Sequence, residues 1–299
     1  MNDTPFRIVS DPTWGYRRLD PLPADAELTA WYESKYYDLV RKGGRACELG
    51  RLMAGGETAA RERAWLCDTL YTDVRELLVE HAPGRRVLDV GCGTGDLLES
   101  LAKHGFDCVG TEPSTEAAGV ARARGLDVRP STFTAFLAAH RASGAAPYDA
   151  VTLMNVLEHV PHPAEVLDQM AEVVRPGGIV CVRVPNEFTD LQAAASPKVG
   201  RAEYWVAAPD HINYFDFASL GALLGEKGFS VVYQQGDFPM ELFLLMGEHY
   251  VGNPEVGAAC HQKRIAMETA MPGALRRRIY AALGAAGVGR NAMVLARRA

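Results

Sequence analysis

The chain has 299 residues, 48% of them hydrophobic and 23% charged, with a formal net charge of −6. That length supports one domain with extensions and a sizeable core. The acidic balance speaks against nucleic acid or an anionic membrane surface as partner, and no apolar run is long enough to span a bilayer.

Residues 1–22, rich in Pro, Arg and aromatics, read as an extended arm. A helix is predicted over 25–41, carrying Leu28, Trp31, Tyr32, Tyr36 and Leu39 at helical spacing, and Gly43-Gly44 breaks it. Tyr32 and Tyr36 lie one turn apart and share a face. They read either as packing or as a lid over a ligand cleft. A second helix or pair runs from about Thr58 to Val79, with Ala64, Leu66, Leu70, Val74, Leu77 and Leu78 apolar, and Pro83-Gly84 stops it. From Arg86 strands and helices alternate. Strands are expected at 86–90, 107–111, 126–129, 148–154 and 179–184, and helices at 95–104, 114–124, 131–142 and 163–175. That rhythm predicts a parallel sheet covered on both faces. Residues 186–215 read as irregular and aromatic, 216–227 as a helix and 229–235 as a strand. A helical interruption at 236–288 precedes a last strand from Asn291. The expected organisation is a helical arm or lid over 1–80, a ligand-binding core over 81–235, a substrate-side insertion over 236–288, and a final core strand over 289–299.

Six cysteines, at 47, 67, 92, 108, 181 and 260, form no Cys-x-x-Cys pair. Reduced thiols in a cytoplasmic protein are expected, and the N-terminus lacks a signal-peptide pattern.

Val87-Leu88-Asp89-Val90-Gly91-Cys92-Gly93-Thr94-Gly95 has the form of a buried strand entering a tight glycine turn and then a helix. A triphosphate loop would need a lysine that 91–97 lacks. A dinucleotide fingerprint would need a third spaced glycine, but Asp96 stands there. An acid at the helix start repels a pyrophosphate and tolerates a cation. Glu112, about 20 residues on, ends the next strand and suits two ribose hydroxyls. These residues describe a nucleoside site without a phosphate cradle.

With these motifs the chain resembles the class I S-adenosylmethionine-dependent methyltransferases, in the branch of ubiquinone-biosynthesis-like small-molecule enzymes. The likeness extends through Gly110-Thr111-Glu112-Pro113-Ser114, Tyr148-Asp149-Ala150-Val151 and Asn155-Val156-Leu157-Glu158-His159-Val160. It continues in Leu167 to Gly178 and in Asp210-His211-Ile212-Asn213-Tyr214-Phe215. The resemblance implies an α/β fold with a doubly wound, mostly parallel seven-stranded sheet, and S-adenosyl-L-methionine as cofactor. It implies that Gly91, Gly93 and Gly95 contact the methionine moiety, Glu112 the ribose, and Ser131, Thr132 and Phe133 the adenine. Asp89 would orient the turn or meet the ammonium group, and Asn155 would lie close to the methyl donor.

The expected reaction is methyl transfer to an O or N atom of a small metabolite, with a sugar-bearing or secondary metabolite among the acceptors that fit. Carbon methylation and a non-catalytic cofactor-binding protein are the alternatives. Nucleic-acid methylation is disfavoured, because the place of an Asn-Pro-Pro-Tyr motif reads Met154-Asn155-Val156-Leu157. A hydroxyl nucleophile needs a base. His211 is the first choice, beside Tyr214, and His159 the second; His162 reads as a turn residue, and His249 as a substrate contact or a surface residue. No His and Cys cluster has metal-ligand spacing, so no metal is expected. Arg276-Arg277-Arg278 reads as a solvated helix face. A monomer or homodimer is expected.

Overall fold

The computed structural model describes residues 6–24, 27–28 and 47–299. Of the aromatic helix expected over 25–41 only residues 27–28 are described, as helix; Trp31, Tyr32, Tyr36 and Tyr37 lie outside the described residues.

Glycine-punctuated apolar runs form the strands of one large sheet. In chain order these are β3 (Arg86–Val90), β4 (Asp107–Thr111), β5 (Val128–Arg129), β6 (Tyr148–Met154), β7 (Val174–Pro185), β9 (Phe229–Gln235) and β10 (Asn291–Arg298). Their spatial order is β5-β4-β3-β6-β7-β10-β9. β3 pairs in parallel with β4 and β6, β4 with β5, and β6 with β7, whereas β10 runs antiparallel to both β7 and β9. This is the expected doubly wound, mostly parallel seven-stranded sheet. Strand order reverses between β3 and β6, and ligands of such sheets bind at the carboxyl ends beside that switch.

Alternating side chains feed two cores. Leu88, Val90, Val180, Val182 and Val184 face α6 (Phe133–Ser143), α7 (Pro163–Val173) and α9 (Phe217–Glu226). Val87, Ile179 and Cys181 face α2 (Gly56–Leu66), α3 (Thr72–His81) and α4 (Asp96–Ala102). A central strand buried on both faces explains the near-continuous apolar runs. α2 and α3 are joined through one wider helical turn at Cys67–Tyr71, and α1 (Cys47–Met53) precedes them. α5 (Thr115–Ala123) follows β4, with Ser114 accepting the Ala117 N–H as its N-cap.

Several segments differ from the sequence expectation. The N-terminal stretch is no extended arm. β1 (Arg7–Ser10) and β2 (Arg17–Asp20) form a hairpin, and β2 pairs with β8 (Asn213–Tyr214) in a separate three-stranded sheet. Tyr16 and Leu19 are buried beneath it. The segment expected to be irregular contains α8 (Asp190–Val199), whose start is a capping box between Thr189 and Gln192. The insertion folds as α10 (Glu241–Leu245), α11 (Pro254–Ala270) and α12 (Gly273–Ala285). Arg276 is buried rather than solvated: its guanidinium reaches Asp73 Oδ1 at 2.9 Å and the carbonyls of Asp68, Thr69 and Glu268. Arg277 Nη1 also reaches Asp73 Oδ1, at 3.2 Å, so two arginines of the triplet tie the insertion to the N-terminal helices. Of the described cysteines, Cys181 and Cys260 are buried, Cys92 and Cys108 half-buried and Cys67 exposed, and all are free thiols.

Candidate active site

The turn after β3 takes its shape from three glycines with positive φ: Gly91 at 71°, Gly93 at 54° and Gly95 at 79°. A Cβ on Gly91 would lie 2.5 Å from Val156 Cγ2, and one on Gly95 would lie 2.5 Å from Leu126 Cδ1. A Cβ on Gly93 would meet nothing within 4 Å. The first and third glycines therefore let protein close in, whereas the second faces open space that a ligand can enter.

The N–H groups of this turn are already engaged. Gly91 and Cys92 both donate to the Thr111 carbonyl, Gly95 donates to the Cys92 carbonyl, and Gly93 donates to Glu112 Oε2 at 2.9 Å. The other Glu112 oxygen accepts the Ser114 N–H at 2.8 Å. Phosphate cradles work by presenting unpaired backbone donors. These four offer none, which is the structural basis for a phosphate-free ligand. Asp96, by contrast, does not repel anions as the sequence reasoning held. Its carboxylate accepts from Arg124 at 2.9 Å, Arg63 at 3.2 Å and Thr94 at 2.8 Å, so its charge is compensated.

A cleft of about 210 Å³ opens over the turn, lined by Asp89, Gly91, Gly93, Thr94, Met154, Asn155 and Arg183, with Leu52, Leu70 and Tyr71 of the N-terminal helices across from them. Asp89 is buried and accepts the Thr152 hydroxyl at 2.6 Å. Burial pushes its carboxyl up to about 7 against that hydrogen bond, with the Glu112 charge adding to the rise. A ligand cation would meet the ionised form. Ser131 and Thr111 carry buried hydroxyl oxygens with no hydrogen-bond partner among the described residues. A space beside Gly93, unsatisfied hydroxyls near the ends of β4 and β5, and a buried acid together fit a sulfonium nucleoside. Thr132 caps α6 by accepting the Ala135 N–H, and Phe133 is buried in the core. Both therefore also have structural duties.

Past β6 the chain holds Asn155 at φ 57°. Its Oδ1 accepts from Arg183 Nη1 and its Nδ2 donates to Glu158 Oε1 at 3.1 Å. A one-turn 3-10 helix, Leu157–His159, follows. β8 is clamped onto this turn: Ile212 N–H donates to the Glu158 carbonyl at 2.7 Å, and Asn213 Nδ2 donates to the carbonyls of Leu157 and Val160. The clamp brings two of the predicted histidines together. The His159 and His211 rings sit edge to face with centroids 4.9 Å apart, and Tyr214 lies 6.4 Å beyond His211. His159 Nδ1 is 2.7 Å from the Asp210 carbonyl, which can only accept, so Nδ1 carries a proton. Glu158 is buried, and burial pushes its carboxyl up against the charges of His159 and Arg183.

Ligand atoms of Glu158, His159 and His211 all lie within 4.8 Å of one another, a donor set with metal-binding chemistry. Linear spacing gave no sign of it, because His211 joins the pair only through the fold. His249 stands apart: it is exposed on the insertion, with Nδ1 3.1 Å from the Lys198 carbonyl. Tyr32 and Tyr36 lie outside the described residues. Sequence reasoning missed Leu52, Leu70, Tyr71 and Arg183. Leu70 read as an apolar helix position, and Leu52 and Tyr71 carried no signal of their own. Arg183, a charge inside Val180-Cys181-Val182-Arg183-Val184, was the visible signal.

Residues 60–234 match the family model described as a methyltransferase domain. A ubiquinone biosynthesis O-methyltransferase of Burkholderia pseudomallei is 35% identical over 163 residues, covering 52% of this chain and 69% of that protein. The Aeromonas salmonicida protein of the same name is 42% identical over 107 residues, covering 34% and 44%. Among solved structures, a SAM-dependent methyltransferase from Archaeoglobus fulgidus superposes with a TM-score of 0.51 at 17% identity, covering 77% of this chain and 93% of that one. Magnesium protoporphyrin IX methyltransferase from Synechocystis PCC 6803, solved with bound SAH, gives 0.51 at 16% identity, covering 88% and 100%. These two structural likenesses show the shared fold. The family match, with the relatives, shows that the chain belongs to the methyltransferase-domain family and is a class I S-adenosylmethionine-dependent methyltransferase.

Proposed function

We propose that the protein methylates a hydroxyl oxygen of a small metabolite, with His159 as general base. The observation that carries this reading is the anchoring of His159 Nδ1 on the Asp210 carbonyl. The Asp210 carbonyl accepts from Nδ1 at 2.7 Å and fixes the ring, with Nε2 3.8 Å from Glu158 Oε1. An amine acceptor in its neutral form needs only positioning, whereas a hydroxyl needs its proton removed, so an anchored imidazole favours oxygen. The O-methyltransferase names of the relatives agree with this choice.

Gly91, Gly93, Gly95, Asp89 and Glu112 would hold the cofactor, with Ser131, Thr132 and Phe133 at its base. When bound, S-adenosylmethionine supplies a methyl group already activated by a positive sulfur. The chain's own residues then have three tasks. The saturated glycine turn and Glu112 hold the nucleoside end in one place. Leu52, Leu70 and Tyr71 cover the cleft and exclude water. His159 Nε2 takes the acceptor's proton, and His211, edge-on to it, limits the ring's rotation.

The test is S-adenosylhomocysteine formation against paired panels of aromatic alcohols and primary amines, in wild type and His159→Gln. The expected result is turnover on hydroxyl acceptors, lowered by about 10²–10⁴-fold in the variant. S-adenosylhomocysteine affinity should be unchanged. Turnover confined to amines, or a variant as active as wild type, would overturn the assignment.

A further inference from the structure

Arg183 is a charged residue near the carboxyl end of a central strand, β7. It stands on β7 opposite Met154 of β6 and Met293 of β10. Its side chain is 9% exposed, and it lines the methyl-transfer cleft. A buried guanidinium is expensive unless its donors and its charge are satisfied. Here both are only partly satisfied. Nη1 donates to Asn155 Oδ1, and Nη2 lies 3.4 Å from Asp237 Oδ2. Asp237 is heavily committed elsewhere: its Oδ1 accepts the Asn291 N–H at 2.7 Å, and the same Oδ2 accepts Asn291 Nδ2 at 2.7 Å and Arg264 Nη2 at 3.2 Å. The Arg183 contact is the longest of the four. A guanidinium has five N–H donors. Among the described residues Arg183 finds acceptors for two. Its charge is felt at Glu158, next to the candidate base, where it opposes the effect of burial.

We propose that Arg183 is a specificity-determining residue that binds a carboxylate on the methyl acceptor. This rests on the hydroxyl-methylation reading above. A planar guanidinium that lines the cleft and has donors beyond those two matches a carboxylate through paired hydrogen bonds. Asp237 sets its strength. By holding the guanidinium from behind it fixes the fork, and by partly neutralising it, weakens the pull on an incoming anion. Asn155, bridging Arg183 and Glu158, keeps the anion subsite and the base in register. The acceptor class is then a small hydroxy acid rather than a neutral alcohol.

The test uses wild-type protein saturated with S-adenosylhomocysteine, titrated calorimetrically with three matched pairs: 4-hydroxybenzoate, salicylate and mandelate, each against its primary amide. At least one acid is expected to bind ten or more times tighter than its amide. Arg183→Met should abolish that preference and Arg183→Lys should keep part of it, because lysine retains the charge but not the fork. Asp237→Asn removes the competing carboxylate and should raise acid affinity, whereas a merely structural role would lower it. Equal affinity for acids and amides, no binding of any acid, or a preference that survives Arg183→Met would overturn the proposal. Failure of the hydroxyl-methylation reading is read out separately: wild type would then release no S-adenosylhomocysteine product with any hydroxyl acceptor, charged or neutral.

Discussion

Replacing Gly91 by Ala tests the glycine turn where its geometry is tightest. Two penalties can be worked from the structure. Gly91 has φ 71°, a left-handed conformation that costs an L-residue about 1–2 kcal/mol. The new Cβ would also sit 2.5 Å from Val156 Cγ2, and such overpacking adds about 1–3 kcal/mol. Loss of backbone freedom in the unfolded chain returns about 0.4–1 kcal/mol. The net expectation is a loss of about 1–4.6 kcal/mol in urea unfolding of the cofactor-free protein. Val156→Ala in the same chain removes the overlap but not the backbone strain. The double-mutant cycle should therefore show a favourable coupling of about 1–3 kcal/mol. Gly93→Ala is the contrast. Its φ is 54° but no atom lies within 4 Å of the added Cβ. Stability should fall by the backbone term alone, while S-adenosylhomocysteine affinity falls more steeply than in Gly91→Ala. A Gly91→Ala protein within 0.5 kcal/mol of wild type, or zero coupling to Val156, would refute the reasoning.

Three further outcomes are expected. Asp89 holds its proton to about pH 7 when folded but only to about pH 4 when unfolded, so the folded state binds more protons between those values. Stability of the cofactor-free protein should accordingly fall as pH rises from 4 to 7 and level off above, and Asp89→Asn should flatten that slope in thermal melts; an unchanged slope would exclude Asp89 as its source. Arg276→Met leaves the buried Asp73 with only the partly exposed Arg277, and should destabilise by about 3–5 kcal/mol. Adding Asp73→Leu should recover most of that loss in the same unfolding assay, and no recovery would argue against an uncompensated charge as the cause. Asn213→Ala strips the buried Leu157 carbonyl and the half-buried Val160 carbonyl of their donor, and should cost about 1–3 kcal/mol. Because the same clamp seats His159, turnover should drop further than Tm alone explains; a stability loss with full turnover would separate the clamp from catalysis.

What the sequence by itself determined is local. The alternation of apolar runs with helical periods specified a parallel sheet, because each strand had to be buried on both faces. Glycines at 91, 93 and 95 specified a turn with positive φ, because little else tolerates it. The capping box at Thr189–Gln192 was equally local, and legible, though the aromatic composition around it obscured the helix. What only the tertiary structure decided involves partners far apart in the chain. Asp96 looked like the group that excludes phosphate, but Arg63 and Arg124 compensate it, and the exclusion lies in backbone donors already taken by Thr111, Cys92 and Glu112. Arg276 looked solvated until Asp73, about 200 residues earlier, closed over it. His159 and His211 were each visible as single candidates. Their juxtaposition, the anchoring of His159 on the Asp210 carbonyl, and Arg183 at the edge of the same cleft come from the clamp of β8 on the turn after β6, and from the Arg183 contact with Asp237. Periodicity records which side of an element is buried, but hydrogen-bond partners across the sheet leave no mark on it.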